Sequence, residues 1–253
     1  MTQAGELRVH ADASELARAA AEELTNSAEK AVLDHDRFTI ALAGGSTPKE
    51  LYRLLASESE PFRARLPWAL SHFFWGDERH EPPDHPESNY RMAREAMLDS
   101  VPVPPENIHR IPAEEPDAAI AAARYEEEIR AFFHLASGER PRFDLVLLGL
   151  GVDAHTASLF PGSAAVHESE RLVVAPWVET QKSFRITLTP PVLNAAALVM
   201  FVVGGEGKAA ALAAVLEGNR DVDRYPAQVV RPVEGKLLWM VDRTAARLLP
   251  STA

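Results

Sequence analysis

The run Leu145-Val146-Leu147-Leu148, followed by Gly149-Leu150-Gly151 and then Asp153-Ala154-His155, constrains this chain more than any other stretch. So short an apolar run cannot span a membrane and suits a strand buried on both faces, as in a parallel sheet covered by helices. The glycines break the strand. Asp153 then has the chemistry of a helix cap, and Ala154 to Ser158 are compatible with a helix. The sequence therefore predicts a buried strand that delivers an acid and a histidine to a glycine-hinged turn. Ligand chemistry in open α/β sheets collects at such strand ends. On these grounds His155 is the candidate catalytic base and Asp153 its neighbour in the site.

The same grammar recurs along the chain. Phe38 to Ala43 reads as a strand that runs into Gly44-Gly45-Ser46; Thr47 is the predicted N-cap, Pro48 the first helical residue, and Glu50 completes a capping box. A strand, a glycine turn and a helix start make an anion cradle, so Gly44, Gly45, Ser46 and Thr47 are candidate ligand-binding residues. The strand Ser71 to Trp75 ends in Gly76-Asp77-Glu78-Arg79, which puts forward Asp77 and Arg79. A proline-rich loop, Glu81 to Pro86, follows, and Ser88 caps a helix with Asn89 at its start. The strand Leu198 to Val203 ends in Gly204-Gly205, and Lys208 falls in the first turn of the next helix, where a lysine opposes the helix dipole and a ligand contact gives it a reason to be there.

Other segments complete the outline. Leu7 and Val9 mark a first strand, and Leu16, Ala20, Leu24, Ala28 and Val32 recur at helical spacing. Ile108 to Ile111 reads as a short strand, and Glu114 to Ala136 as a long helix with Ile120 and Tyr125 inward and Glu126-Glu127-Glu128 in solvent. Phe184 to Leu188 alternates as a strand does and brings Lys182 and Arg185 to one end. Leu237 to Val241 is a last strand, with Asp242 or Thr244 capping a terminal helix. Strands alternating with helices imply an α/β layered fold with a mostly parallel sheet, in one domain over residues 1–253 with room for a small appended lobe.

Composition narrows the chemistry. A net charge of -11 argues against nucleic acid and obliges any anionic ligand to find local cations. The absence of cysteine excludes disulfides, thiolate catalysis and Cys-ligated zinc. The start of the chain lacks the basic and apolar regions of a signal peptide, and no run approaches the ~18 apolar residues of a membrane span; the expectation is a soluble, cytoplasmic protein. There is no G-x-S-x-G elbow, no H-E-x-x-H pair, and Ser158 near His155 does not by spacing make a triad. Pooled at one sheet edge, Asp77, Arg79, Asp153, His155 and Lys208 suit a small phosphorylated or carboxylated substrate, with cations for the anion and a histidine for the proton.

The motifs also resemble a known family. GLGVDAHTASLFPGS is similar to the signature GxGxDGHxASLFP of 6-phosphogluconolactonases, within the glucosamine/galactosamine-6-phosphate isomerase superfamily, and GGSTP, DERxxPxxxxxSNY (Asp77 to Tyr90) and RITLTPPVLNAA match in order from about Phe38 to about Leu216. The resemblance implies a modified Rossmann-like three-layer fold with helices on both faces. It implies hydrolysis of 6-phosphoglucono-δ-lactone with no metal or organic cofactor; a monomer or weak homo-oligomer is expected. His155 is then the base on water, Asp153 or Asp77 orients the imidazole or the water, and Gly44, Gly45, Ser46, Thr47, Arg79, Asn89, Arg185 and Lys208 hold phosphate and sugar. The related deaminases carry an acid five positions after the histidine, where this chain has Phe160; sugar-phosphate sensors of the same fold add a DNA-binding segment for which this chain has no room. One departure stands out: the family glycine before the histidine is Ala154, which is strained if its φ is positive and harmless otherwise.

Overall fold

A computed structural model of the chain describes residues 5–250. The elements in order are β1 (Glu6–His10), α1 (Ala13–His35), β2 (Phe38–Leu42), α2 (Ser46–Ala56), α3 (Phe62–Arg65), β3 (Ser71–Trp75), β4 (Asp77–Arg79), α4 (Asn89–Ala96) and α5 (Ala118–Phe133). Then come β5 (Leu145–Leu148), β6 (Val173–Val174), β7 (Trp177–Val178), β8 (Ser183–Leu188), α6 (Pro190–Ala195), β9 (Leu198–Val203), α7 (Ala209–Glu217) and β10 (Lys236–Asp242). Among the described residues no helix is long and apolar enough to cross a membrane.

Six strands form one parallel sheet in the order β1-β10-β9-β5-β2-β3. Every residue of β2 and β5 is buried, as the unbroken apolar runs require of strands covered on both faces. The chain moves one way from β1 through β2 to β3, then returns through β5 and β9 to β10. Right-handed crossovers therefore put α1 and α2, which pack on each other, on one face, and α5 and α7 on the other. The direction reverses between β2 and β5, which opens a crevice outside their carboxyl ends.

At Gly76 the chain leaves β3 and enters a second, antiparallel sheet of β4-β8-β6, with β7 beside β8. Gly76 belongs to both sheets: its N–H donates to Leu42 O (2.8 Å) and its carbonyl accepts from Leu188 N (2.9 Å). Ile186 and Leu188 of the small sheet share one apolar core with Leu147 and Phe74 of the large one.

Two buried tyrosines fasten the carboxyl edge. The Tyr52 hydroxyl, from α2, donates to Ala43 O (2.8 Å) and accepts from Ala43 N (3.0 Å), just past the end of β2. The Tyr125 hydroxyl, from α5, donates to Trp75 O (3.0 Å) and accepts from Trp75 N (2.8 Å), at the end of the edge strand β3. Each phenol replaces a ladder partner that the sheet cannot supply there.

Several local expectations are corrected. No helix follows Asp153: Ala154 (φ 63) and Ala157 (φ 47) are left-handed, and the segment is a tight turn. Thr47 does not cap α2; Gly45, at φ 102, is the N-cap and makes no side-chain cap bond, so Ser46 and Thr47 fall in the first turn. Ile108 makes a single bridge to Phe73 instead of a strand. The long helix is shorter, Ile120 on it is exposed, and Glu126 is no solvent residue, since it accepts from Leu172 N (2.8 Å) and Val173 N (3.1 Å). After β10 the Asp242 carboxylate ties turns together, accepting from Ala245 N and Thr244 Oγ1 (both 2.7 Å) and from Gly205 N (2.8 Å), and no terminal helix forms among the described residues.

Replacing Tyr52 by Phe leaves a buried N–H and a buried C=O unpaired beside the site. Tyr52→Phe is expected to lower the unfolding free energy by about 1–3 kcal/mol in urea titrations.

Candidate active site

A cleft of about 330 Å³ lies at the carboxyl edge of β9-β5-β2-β3. All four glycine turns line it, and among its lining residues are Gly44, Gly45, Ser46, Thr47, Asp77, Arg79, Asn89, His155 and Lys208. Two of the expected residues stand one layer back: Asp153 behind the imidazole and Arg185 on β8, directly across from Arg79. Lys182 sits apart, in an exposed ion pair with Glu179. Among the described residues no three His, Asp or Glu side chains converge as metal ligands would.

His155 is held from several sides. Asp153 Oδ1 lies 2.5 Å from His155 Nδ1 and also accepts the His155 backbone N–H (3.2 Å). A carboxylate at Nδ1 keeps the proton there and leaves Nε2 as a free acceptor. Burial alone would raise the Asp153 carboxyl, but the hydrogen bond and charge of His155 prevail and hold it below its ordinary range. The Phe160 ring stacks on the imidazole with centroids 4.2 Å apart at 27°. Gly151 completes the seat, because a Cβ there would lie 2.1 Å from His155 Nδ1 and 2.6 Å from Asp153 Oδ1. Glycine is needed there because the imidazole occupies the space of a side chain.

Asp77 opens β4. Its Oδ2 accepts from Ser158 Oγ (2.6 Å), its backbone O accepts from Asn89 Nδ2 (2.9 Å), and its Oδ1 has only a 3.5 Å contact with that amide. Glu78, which points the other way, is 2% exposed and accepts from Arg79 N (2.8 Å), Ser88 Oγ (3.0 Å), Asn89 N (2.7 Å) and Tyr90 N (2.8 Å). Burial raises the Glu78 carboxyl, against the three backbone N–H bonds. Glu78 thus anchors the start of α4 and with it Asn89, whose amide packs so closely on Gly44 that a Cβ there would lie 1.9 Å from Oδ1. The sequence put forward Asp77 and Arg79 and left Glu78 between them without a role, because most of its donors come from the start of α4.

The cations are poorly compensated. Lys208 ends the turn after β9 and has no carboxylate partner within salt-bridge distance among the described residues; burial lowers its pKa, and the charge of Asp153 opposes that. Arg185 is lowered by burial and then by Arg79, its cross-strand partner. Like charges directly opposite in a sheet destabilise it unless something anionic joins them. The Arg79 guanidinium itself donates to the carbonyl of Glu87, at the far end of the proline-rich loop. The first turn of α2 adds backbone N–H groups and the positive end of its dipole at Ser46 and Thr47.

Such a parallel α/β sheet, with a carboxylate-tethered imidazole, a second carboxylate and undercompensated cations at its switch point, defines an enzyme of small anionic substrates. Residues 11–239 match the family described as Glucosamine-6-phosphate isomerases/6-phosphogluconolactonase, and the chain belongs to that family. It is 47% identical to the 6-phosphogluconolactonase of a Nostoc species over 86% of this chain and 87% of that one. It is 43% identical to the 6-phosphogluconolactonase of a Synechocystis species, over 89% and 90%. The solved 6-phosphogluconolactonase of Trypanosoma brucei superposes with a TM-score of 0.85 at 30% identity, over 98% of this chain and 100% of that one.

Ala154 has the positive φ at which the family glycine would be at ease, and it is 1% exposed. Ala154→Gly relieves about 1–2 kcal/mol of left-handed strain but gives up a buried methyl and gains unfolded-state freedom of similar size. The expected net change is below about 1 kcal/mol in denaturant titrations. Ala154→Val, β-branched at that φ, is expected to lose more than about 2 kcal/mol and most of the activity.

Proposed function

We infer that this chain is a 6-phosphogluconolactonase, which hydrolyses 6-phospho-D-glucono-1,5-lactone to 6-phospho-D-gluconate in the second step of the oxidative pentose phosphate pathway. The observation that carries the reading is the imidazole tethered at Nδ1 by Asp153, in a cationic cleft, in a chain 47% and 43% identical to two proteins that bear that name. His155 Nε2 takes a proton from water as its oxygen attacks C1 of the lactone. Asp153 holds the imidazole and stabilises the imidazolium that forms. Asp77, with Oδ1 open, orients the water. N–H groups of the glycine turns receive the oxyanion. On collapse the bond from C1 to the ring oxygen breaks, and the imidazolium returns its proton to that oxygen. Ser46, Thr47, Arg79, Arg185 and Lys208 hold the phosphate and the sugar, with Gly44, Gly45 and Asn89 shaping the cradle.

Phe160 disfavours the deaminase alternative, since an aromatic ring stacked on His155 takes the place of the acid expected there. A charged sugar phosphate does not cross a bilayer unaided, so the reading puts the enzyme, as one domain, in the cytoplasm with its substrate.

The test generates the lactone in place with a glucose-6-phosphate dehydrogenase and follows proton release. The protein is expected to accelerate ring opening over the spontaneous rate, and His155→Ala to lower kcat by about 10²- to 10⁴-fold. Near-wild-type turnover in that variant would sink the base assignment. The lowered pKa of Lys208 makes a second expectation: product binding, measured calorimetrically with 6-phosphogluconate, should weaken as pH rises through a range below that of a free lysine, because the cation is lost there. Lys208→Arg should remove that alkaline loss.

A further inference from the structure

We infer that Ser158 is a positioning residue of this reaction: its hydroxyl holds one oxygen of Asp77 so that the other faces the cleft, and so fixes the carboxylate relative to His155. The inference rests on the lactonase reading above and adds to it a residue that touches no substrate.

Ser158 is 1% exposed, and its Oγ lies 2.6 Å from Asp77 Oδ2, the length of a charge-assisted O–H···O⁻ bond. That geometry makes it a donor to a carboxylate and removes it as a nucleophile. Its backbone N–H donates to Thr187 Oγ1 (3.2 Å), and Thr187 on β8 is the residue directly across from Asp77 in the β4–β8 ladder. Ser158 is thus attached to both strands that carry Asp77 in place.

The same turn carries His155. It is closed by Gly151 N–H to His155 O (2.8 Å), by Thr156 Oγ1 to Gly149 O (2.9 Å) and by the Thr156–Leu159 bridge, so Ser158 cannot move without displacing the imidazole's own support. His155 stands on the exit of β5 in the parallel sheet, and Asp77 stands on the antiparallel sheet. Among the described residues, Ser158 Oγ to Asp77 is the side-chain hydrogen bond that joins the histidine's turn to Asp77. Without it the carboxylate can rotate and exchange its two oxygens, and a misplacement of about 1 Å is enough to cost a reaction about 10²-fold.

The test is a double-mutant cycle in the proton-release assay, with Ser158→Ala, Asp77→Asn and the pair. Ser158→Ala is expected to lower kcat by about 10- to 100-fold with KM within about twofold, the signature of an interaction felt only in the transition state. In the Asp77→Asn background the same substitution is expected to cost less than about twofold further, because Ser158 acts through that carboxylate. Ser158→Thr, which keeps the hydroxyl, should recover part of kcat; Ser158→Cys, which keeps the volume and weakens the donor, should not, and it replaces the alanine variant should that one fail to fold by circular dichroism. Equal losses in both backgrounds, a rise in KM at unchanged kcat, or recovery by cysteine as good as by threonine each overturn the inference. With an active wild type those results remove Ser158 alone; a wild type that does not accelerate lactone opening removes the reaction and this role with it.

Discussion

In a sheet whose strands all run one way, each strand delivers its exit turn to the same edge. That constraint governs this molecule. Four neighbouring strands, β9, β5, β2 and β3, end in glycine-bearing turns. Because the winding reverses between β2 and β5, the helices that follow diverge and leave room between them. The buried strands set the edge, the two tyrosine clips hold the backbone where two ladders end, and the turns inherit their positions from both. The candidate side chains come from six separate stretches of sequence, at Ser46, Asp77, Asn89, Asp153, Arg185 and Lys208, and none of those stretches could hold its geometry alone.

Charge is arranged against the molecule's own field. The chain is strongly acidic, yet Lys208 has no carboxylate partner within salt-bridge distance among the described residues, and Arg79 and Arg185 face one another across two strands. Holding cations in this state costs folding energy, a cost that a bound anion would offset. Asp153 and Asp77 differ in their partners: the first is bound to an imidazole, the second to a hydroxyl.

Much of this was legible in the sequence because it is periodic or punctuated. Apolar runs ending in glycine announce buried strands and their exits, and the polar residues just past them are the ones that line the cleft. Geometry that depends on a single backbone angle was not legible. Thr47 has the chemistry of a cap, but Gly45 takes the position because a positive φ turns the chain more tightly. The residues after Asp153 have helical propensities, and two left-handed alanines override them. Contacts that depend on tertiary packing were equally hidden: Phe160 was noticeable as a missing acid, whereas its stacking on the imidazole arises only once the turn closes. Glu78 was given no role beside Asp77 and Arg79 because the donors that surround it lie at the start of α4.

Gly76 is where the backbone changes from one sheet to the other, and its significance is larger than its size. It places a seam through the site, with the imidazole on one side and Asp77 on the other. The two halves of the site are therefore aligned by what crosses that seam, the two hydrogen bonds of Gly76, the Ser158–Asp77 bond and the shared apolar core, and by neither ladder alone.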